Sequence, residues 1–241
     1  MKPAFEARAQ ELFPDIKITT DGRKCLGSFI GTPESTKIFV SEKIAEWEKD
    51  VAALAKIAEY EPQLAYSAYI YGTSRRWQFV CRTTPGISES MKSLEVLIRN
   101  QLMPAIVGGH EISDELRMIL NLPARLGGMG FLDPSVEADY EYENSVLVTA
   151  QLTNAIYQQN HRLKIDDEAQ ERILKELTKR KDQRWKERQE QVQNAVTERM
   201  KRIILLSSEK GASTWLSSLP LKTYGFRLNK QQFWDALCTC A

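Results

Sequence analysis

"VSEKIAEWEKDVAALAKIAEY", residues 40–60, decides the fold class. Val40, Ile44, Trp47, Val51, Leu54 and Ala58 recur in alternating steps of four and three. That spacing places six apolar side chains on one stripe of an α-helix, with Glu, Lys and Asp on the rest of its surface. The pattern predicts a helix from Pro33 to Tyr60 whose stripe faces a core.

Helical spacing continues on both sides. "KPAFEARAQELF" repeats Phe5, Ala9 and Leu12, and Pro14 ends it. "PQLAYSAYIYGTSRRWQFVCRTTPG" is apolar and aromatic at helical spacing, with a break expected near Gly72. Ser88 is a candidate cap for a helix whose face is Met91, Leu94, Leu97, Ile98 and Leu102, and Ser113 for "DELRMILN". Residues 135–158 read as another helix. Asp166 or Asp167 opens a long charged one running to about Ser207. The exception comes early: "IKITTDGRKCLGSFIG" reads as a β-hairpin turning at Asp21-Gly22, the two-residue signal that suits right-twisted strands. The expectation is a mainly α fold, a helical bundle with a small N-terminal β-hairpin.

Composition bounds what such a bundle can do. The chain has 241 residues, 33 basic and 32 acidic, for a net charge of +1. Nucleic-acid binding by overall charge is excluded, so any such binding needs a local patch. No apolar run approaches the roughly eighteen residues of a membrane span. The start "MKPAFEARAQELF" lacks the apolar stretch of a secretory signal. An intracellular, cytoplasmic or nuclear protein that is not secreted is expected, with Cys25, Cys81, Cys238 and Cys240 as free thiols. No CxxC pair exists, and His110 and His161 are remote from the cysteines. No metal site is therefore expected, although a cluster completed by residues beyond Cys238 and Cys240 stays open.

Four stretches carry possible chemistry. "PARLGGMGFLDP", residues 123–134, packs three glycines after Arg125. It matches neither phosphate-loop pattern, no strand leads into it and no lysine follows it. Close packing with Gly127, Gly128 or Gly130 at positive φ is the main reading, and a backbone contact by Arg125 the second. "KIDD" at 164–167 resembles the paired aspartates of a two-metal site, but it precedes a helix, where carboxylates cap free N–H groups. "TSRRWQFVCR" sets Arg75, Arg76 and Arg82 around Trp77 and Phe79, which suits gripping a strand and stacking on its bases. The bland alternative buries Trp77 and Val80 and leaves the arginines in solvent. Residues 175–188, "KELTKRKDQRWKER", hold seven basic and three acidic side chains, among them Lys179, Arg180, Lys181 and Arg184. Trp185 is the one large apolar residue in 178–191, too little for a coiled-coil seam, so a solvated helix is expected there. No acid–base or nucleophile constellation stands out, and no catalytic residue is assigned.

The succession "ITTDGRKCLGSFIGT", "IAEWEKDVAALAKIAEYEPQLAYSAYIYG", "RRWQFVCRTTPGI", "LEVLIRNQLMPAIVGG", "LPARLGGMGFLDP" and "GASTWLSSLPLKTYGFRLNKQQFWDAL" resembles the C-terminal part of retroelement-type reverse transcriptases, from about residue 2 to 237. The resemblance implies three regions. Residues 1–32 would be a palm tail with a primer-grip-like hairpin around Cys25, Leu26 and Gly27. Residues 33–134 would be a thumb-like bundle and 135–241 a C-terminal helical region. It implies weak binding of a template–primer duplex through Arg75, Arg76, Trp77, Arg82, Arg125, Lys179, Arg180, Lys181 and Arg184. It also implies a fragment: the fingers, most of the palm and the Tyr/Phe-x-Asp-Asp hairpin would lie ahead of Met1, and a Cys/His-rich segment beyond "DAL". On this reading the chain has no cofactor of its own, and Mg²⁺ belongs only to an intact parent polymerase. The competing reading is a non-enzymatic helical protein that binds a protein partner through the 167–206 helix.

Overall fold

A computed structural model describes residues 2–15, 18–160, 162 and 164–239. Ile16 and Lys17 of the expected first strand, His161, Cys240 and the side chain of Cys238 lie outside the described residues. The order is α1 (Lys2–Leu12), β1 (Gly22–Cys25), β2 (Ser28–Gly31), α2 (Pro33–Ala58), α3 (Pro62–Ala68), α4 (Ser74–Thr83), α5 (Lys92–Leu97), α6 (Met103–Ile106), α7 (Asp114–Asn121), α8 (Pro134–Tyr157), α9 (Asp167–Ala195), α10 (Glu198–Ser207), α11 (Thr214–Ser217) and α12 (Lys230–Thr239). The fold is mainly α with one small antiparallel hairpin, as the sequence predicts.

The seam on α2 is buried along its whole length: Val40, Ile44, Trp47, Val51, Leu54 and Ala58 all face the core. Thr32 caps the helix by accepting from the Ser35 backbone N–H, and Pro33 sits at its first position, where no N–H is needed. Trp47 leads into a continuous series of ring contacts. It meets Trp77 of α4 at 6.0 Å, and Trp77 meets Tyr69 at 6.0 Å. Tyr69 stacks on Phe131 at 4.9 Å, and Phe131 meets Tyr66 at 5.8 Å. Tyr66 then reaches Phe233 of α12 at 6.5 Å, and Phe233 lies edge-on to Trp215 of α11 at 5.6 Å. The last helices therefore share the core built by α2 to α8. Gln63, itself buried, fixes this return: its amide donates to the Phe226 carbonyl at 3.0 Å and its oxygen accepts from the Leu228 N–H at 2.7 Å.

The glycine stretch is a packing device. Phe131 is fully buried, and it reaches that position because the loop presses against α7. Gly130 N–H donates to the Leu122 carbonyl at 2.8 Å and Phe131 N–H to the Leu120 carbonyl at 2.9 Å. A Cβ on Gly128 would overlap the Leu122 and Ile119 carbonyl oxygens, and one on Gly127 would sit 2.6 Å from the Ile204 carbonyl of α10. Gly127 and Gly130 have φ of 81° and 73°, the left-handed region glycine enters freely.

Three local expectations are corrected. The hairpin turns at Leu26-Gly27, not at Asp21-Gly22: Cys25 pairs with Ser28 and Gly22 with Gly31. Leu26 and Gly27 have φ of 50° and 88°, the two positive values that a tight hairpin turn needs. The Asp21 carbonyl instead accepts from Thr32 N–H at the open end. Ser88 is no side-chain cap, since Met91 occupies the position before α5. The long charged helix ends at Ala195; Val196 is extended, and Thr197 caps a new helix by accepting from Met200 N–H. The short helix expected around Phe5, Ala9 and Leu12 is present as α1, with Phe5 and Leu12 exposed. The expected break at Gly72 is a π-helical turn, Tyr69–Thr73, joining α3 to α4. Asp166 caps α9, as expected, by accepting from Ala169 N–H at 3.0 Å.

Candidate nucleic-acid interface

Nine of the ten residues of α4 point in four directions, and Ser74 donates back to the Ile70 carbonyl. Trp77, Val80 and Cys81 enter the core. Phe79 and Thr83 meet the hairpin, where Ser28 donates to the Thr83 hydroxyl at 2.9 Å. A Cβ on Gly27 would stand 3.3 Å from the Phe79 ring. Arg76 pairs with Asp50 of α2. Arg75, Gln78 and Arg82 look onto a groove of about 620 Å³ between α4, α8 and α9.

The sequence explains why α8 and α9 bring their polar side chains here. Asp133 caps α8 by accepting from Ser135 N–H at 2.8 Å, and Ala138, almost fully buried, lets the helix lie close to α4. Glu137, Glu141 and Asn144 follow at steps of four and three on one face of α8, and all three line the groove. Glu141 accepts from Arg82 at 2.7 Å. Glu137 accepts from Arg184 at 2.6 Å and from Arg188 at 2.5 Å, which fastens α9 to α8. Arg184 also lies 4.0 Å from the centre of the Tyr140 ring, a cation–π contact. Trp185 packs with Leu122, Val192 and Val196, so only the outer face of this part of α9 is solvated. No residue of 178–191 is buried, in keeping with the expected solvated helix, and Arg184, Trp185, Arg188 and Gln189 are half-buried where it meets its neighbours.

Four of the nine basic and aromatic candidates, Arg75, Arg82, Lys181 and Arg184, therefore converge on one groove. Arg75 bonds Gln78 at 3.4 Å, and neither Arg75 nor Lys181 pairs with a carboxylate among the described residues. With Glu137 and Glu141 answering Arg184 and Arg82, Arg75 and Lys181 are the cations in excess, on opposite walls. The other candidates lie elsewhere. Arg76 is held by Asp50. Trp77 has its ring between Trp47 and Tyr69 and presents no free face for stacking a base. Arg125 is exposed on the short turn Ala124–Leu126, and Lys179 and Arg180 are exposed on α9 outside the groove lining, Arg180 beside Glu176 at 3.6 Å. Cys25, Leu26 and Gly27 form the exposed hairpin tip.

Sequence reading found the cations and missed Glu137, Glu141 and Asn144, although their spacing on one helical face was a usable signal. Burial pushes the Tyr66 and Tyr69 hydroxyls up from their ordinary value, with Tyr66 donating to the Met129 carbonyl at 2.7 Å. No group of three or more His, Cys, Asp or Glu side chains is placed to hold a metal ion among the described residues, and no helix there is long and apolar enough to cross a membrane.

Fold and site together define a mainly α-helical bundle with a small hairpin and a cationic groove between helices. No protein-family model, no curated protein and no solved structure matches the chain.

Proposed function

We propose that the chain is a nucleic-acid-gripping part of a retroelement-type reverse transcriptase, holding template–primer without performing the transfer chemistry itself. The observation that carries this reading is the convergence of Arg75, Arg82, Lys181 and Arg184 from two helices about a hundred positions apart onto one groove. A chain with a net charge of only +1 gains phosphate affinity by such local concentration. The resemblance of the connected sequence supplies the family. Two-metal phosphoryl transfer needs carboxylates fixed on either side of Mg²⁺. In this sequence the sole Asp-Asp pair, Asp166-Asp167, is used to cap α9.

Fluorescence anisotropy with a labelled template–primer duplex across a salt series tests the reading, beside a primer-extension assay. The expected dissociation constant is roughly 10⁻⁴–10⁻⁶ M at physiological salt, with little sequence preference and a clear salt dependence. Arg75→Ala should weaken binding and flatten the salt slope more than Arg76→Ala, whose guanidinium is tied to Asp50. Primer extension by the pure chain would overturn the non-catalytic half. Absence of binding at low salt would overturn the gripping half and favour a protein partner on α9.

A further inference from the structure

Resting on that reading, we propose that the groove between α4, α8 and α9 takes the unpaired template strand that continues from a template–primer, with a base entering it, while the paired part lies across the groove's rim. Three observations point there. At about 620 Å³ the groove falls within the size range, roughly 300–1,000 Å³, of pockets that enclose a small ligand. A duplex can only lie across such an opening, because its bases face each other about the helix axis. A single strand can turn one base inward while its phosphates stay at the rim.

The charges suit that arrangement. Arg75 on α4 and Lys181 on α9 are the two cations of the groove without a carboxylate partner among the described residues, and they stand on opposite walls. A strand running between them places successive phosphates against each. Glu137 and Glu141 are already engaged by Arg184, Arg188 and Arg82, so they do not confront the incoming phosphates as free charges.

The third observation concerns the base. Asn144 lines the same groove, and its Oδ1 is buried with no hydrogen-bond partner. A buried acceptor left unmade is destabilising, so a ligand that supplies a donor has a specific advantage there. The terminal amide torsion of asparagine is broad and roughly two-fold, and turning it exchanges Oδ1 with Nδ2, so the amide can offer the groove an acceptor or a donor for a base edge. Every nucleobase carries an exocyclic amino or ring N–H on its pairing edge, and only an unpaired base offers it. Ser145, Thr149 and Thr178 line the groove with Asn144, the threonine hydroxyls donating to the Ser145 and Leu174 carbonyls of their own helices and keeping lone pairs free to accept.

The experiment compares three labelled probes on the full chain at low salt: a short oligoadenylate, an abasic strand of the same length, and a blunt hairpin duplex. The single strand should bind at least about fivefold tighter than the duplex. Lys181→Ala and Arg75→Ala, both on exposed side chains, should weaken all charged probes. Asn144→Ala should weaken oligoadenylate about threefold to tenfold and leave the abasic strand unchanged. Equal or tighter binding of the duplex, with the same response to Lys181→Ala, overturns the single-strand inference and leaves the nucleic-acid reading standing. An equal effect of Asn144→Ala on the abasic strand overturns entry of the base. Failure of all three probes to bind overturns both readings together.

Discussion

Arg117 holds Glu95 in a two-pronged pair inside the bundle: its Nε and Nη2 donate to the carboxylate at 2.6 and 2.8 Å, and its Nη1 donates to the Phe131 carbonyl at 2.8 Å. One guanidinium thereby joins α5, α7 and the glycine loop. The pair is largely shielded from water, with side-chain exposures of 10% and 14%. Burial raises the Glu95 carboxyl above its ordinary value despite the guanidinium beside it.

Removing one partner should cost more than removing both. Arg117→Met leaves a buried carboxylate alone and should destabilise by about 3–5 kcal/mol, while Arg117→Met with Glu95→Leu should recover much of that loss. A raised carboxyl also sets a pH direction. The folded state holds this proton more tightly than the unfolded chain does. Its contribution is therefore greatest below the ordinary value of 4.5 and is lost as pH rises through the folded value. Urea melts of wild type and Glu95→Gln across that range should differ by a component that falls with rising pH. A flat difference would remove Glu95 from the account.

Trp47 is 2% exposed and opens the aromatic series that crosses the core. Trp47→Ala should cost roughly 3–5 kcal/mol in denaturant melts. Phe5, 76% exposed on α1, should cost close to nothing when changed to Ala. Similar losses at both positions would contradict the placement of α1 away from the core.

Two glycines should respond to alanine with opposite signs. Gly72 lies in the π-helical turn, and beyond its own stretch of helix backbone no atom stands within 4 Å of the place a methyl group would take. Gly72→Ala should therefore stabilise by about 0.4–1 kcal/mol through the unfolded chain. Gly128 has the Leu122 and Ile119 carbonyls where a Cβ would stand, and Gly128→Ala should destabilise by about 1–3 kcal/mol. Thermal melts of the two variants check the contrast directly.

The cysteines offer a chemical check. Cys25 is exposed, whereas Cys81 is buried and its thiol is pushed up to about 12, chiefly by desolvation. Native alkylation mapped by mass spectrometry should mark Cys25 and spare Cys81 until denaturant is added. The folded thiol stays protonated where the unfolded one ionises. Its contribution to stability is thus complete below about pH 9 and declines toward about pH 12. Modification of Cys81 in the native chain at neutral pH would contradict its burial.

What could be read beforehand followed from the range of the physics involved. The α2 seam and the Asp166 and Ser113 caps are local patterns, and each stands where the spacing put it. The hairpin turn was misread because Asp-Gly is the stronger local signal, while the pairing of Cys25 with Ser28 sets the turn at Leu26-Gly27. The break after Ala195 carries neither glycine nor proline; it falls where Val192 and Val196 pack with Leu122 and where Thr197 caps the next helix. For the candidate site, the cations were visible singly. Their meeting was not, because it depends on α8 lying between α4 and α9 and on Glu137 gripping two arginines at once.

The two bonds between Gln63 and the Phe226–Leu228 segment also impose a timetable. Gln63 leaves the ribosome 165 positions ahead of Leu228. At roughly 5–20 residues per second, that interval is about 8–33 s. Until it has passed, the aromatic faces of Tyr66 and Phe131 wait without Phe233 and Trp215, and the carboxamide of Gln63 waits without its partners. Closure of the core around Gln63 and Tyr66 therefore waits until Phe226, Leu228 and Phe233 have been made. Ribosome-bound chains stopped before Trp215 should be cut readily by protease in the α3 region, and released full-length chains should resist.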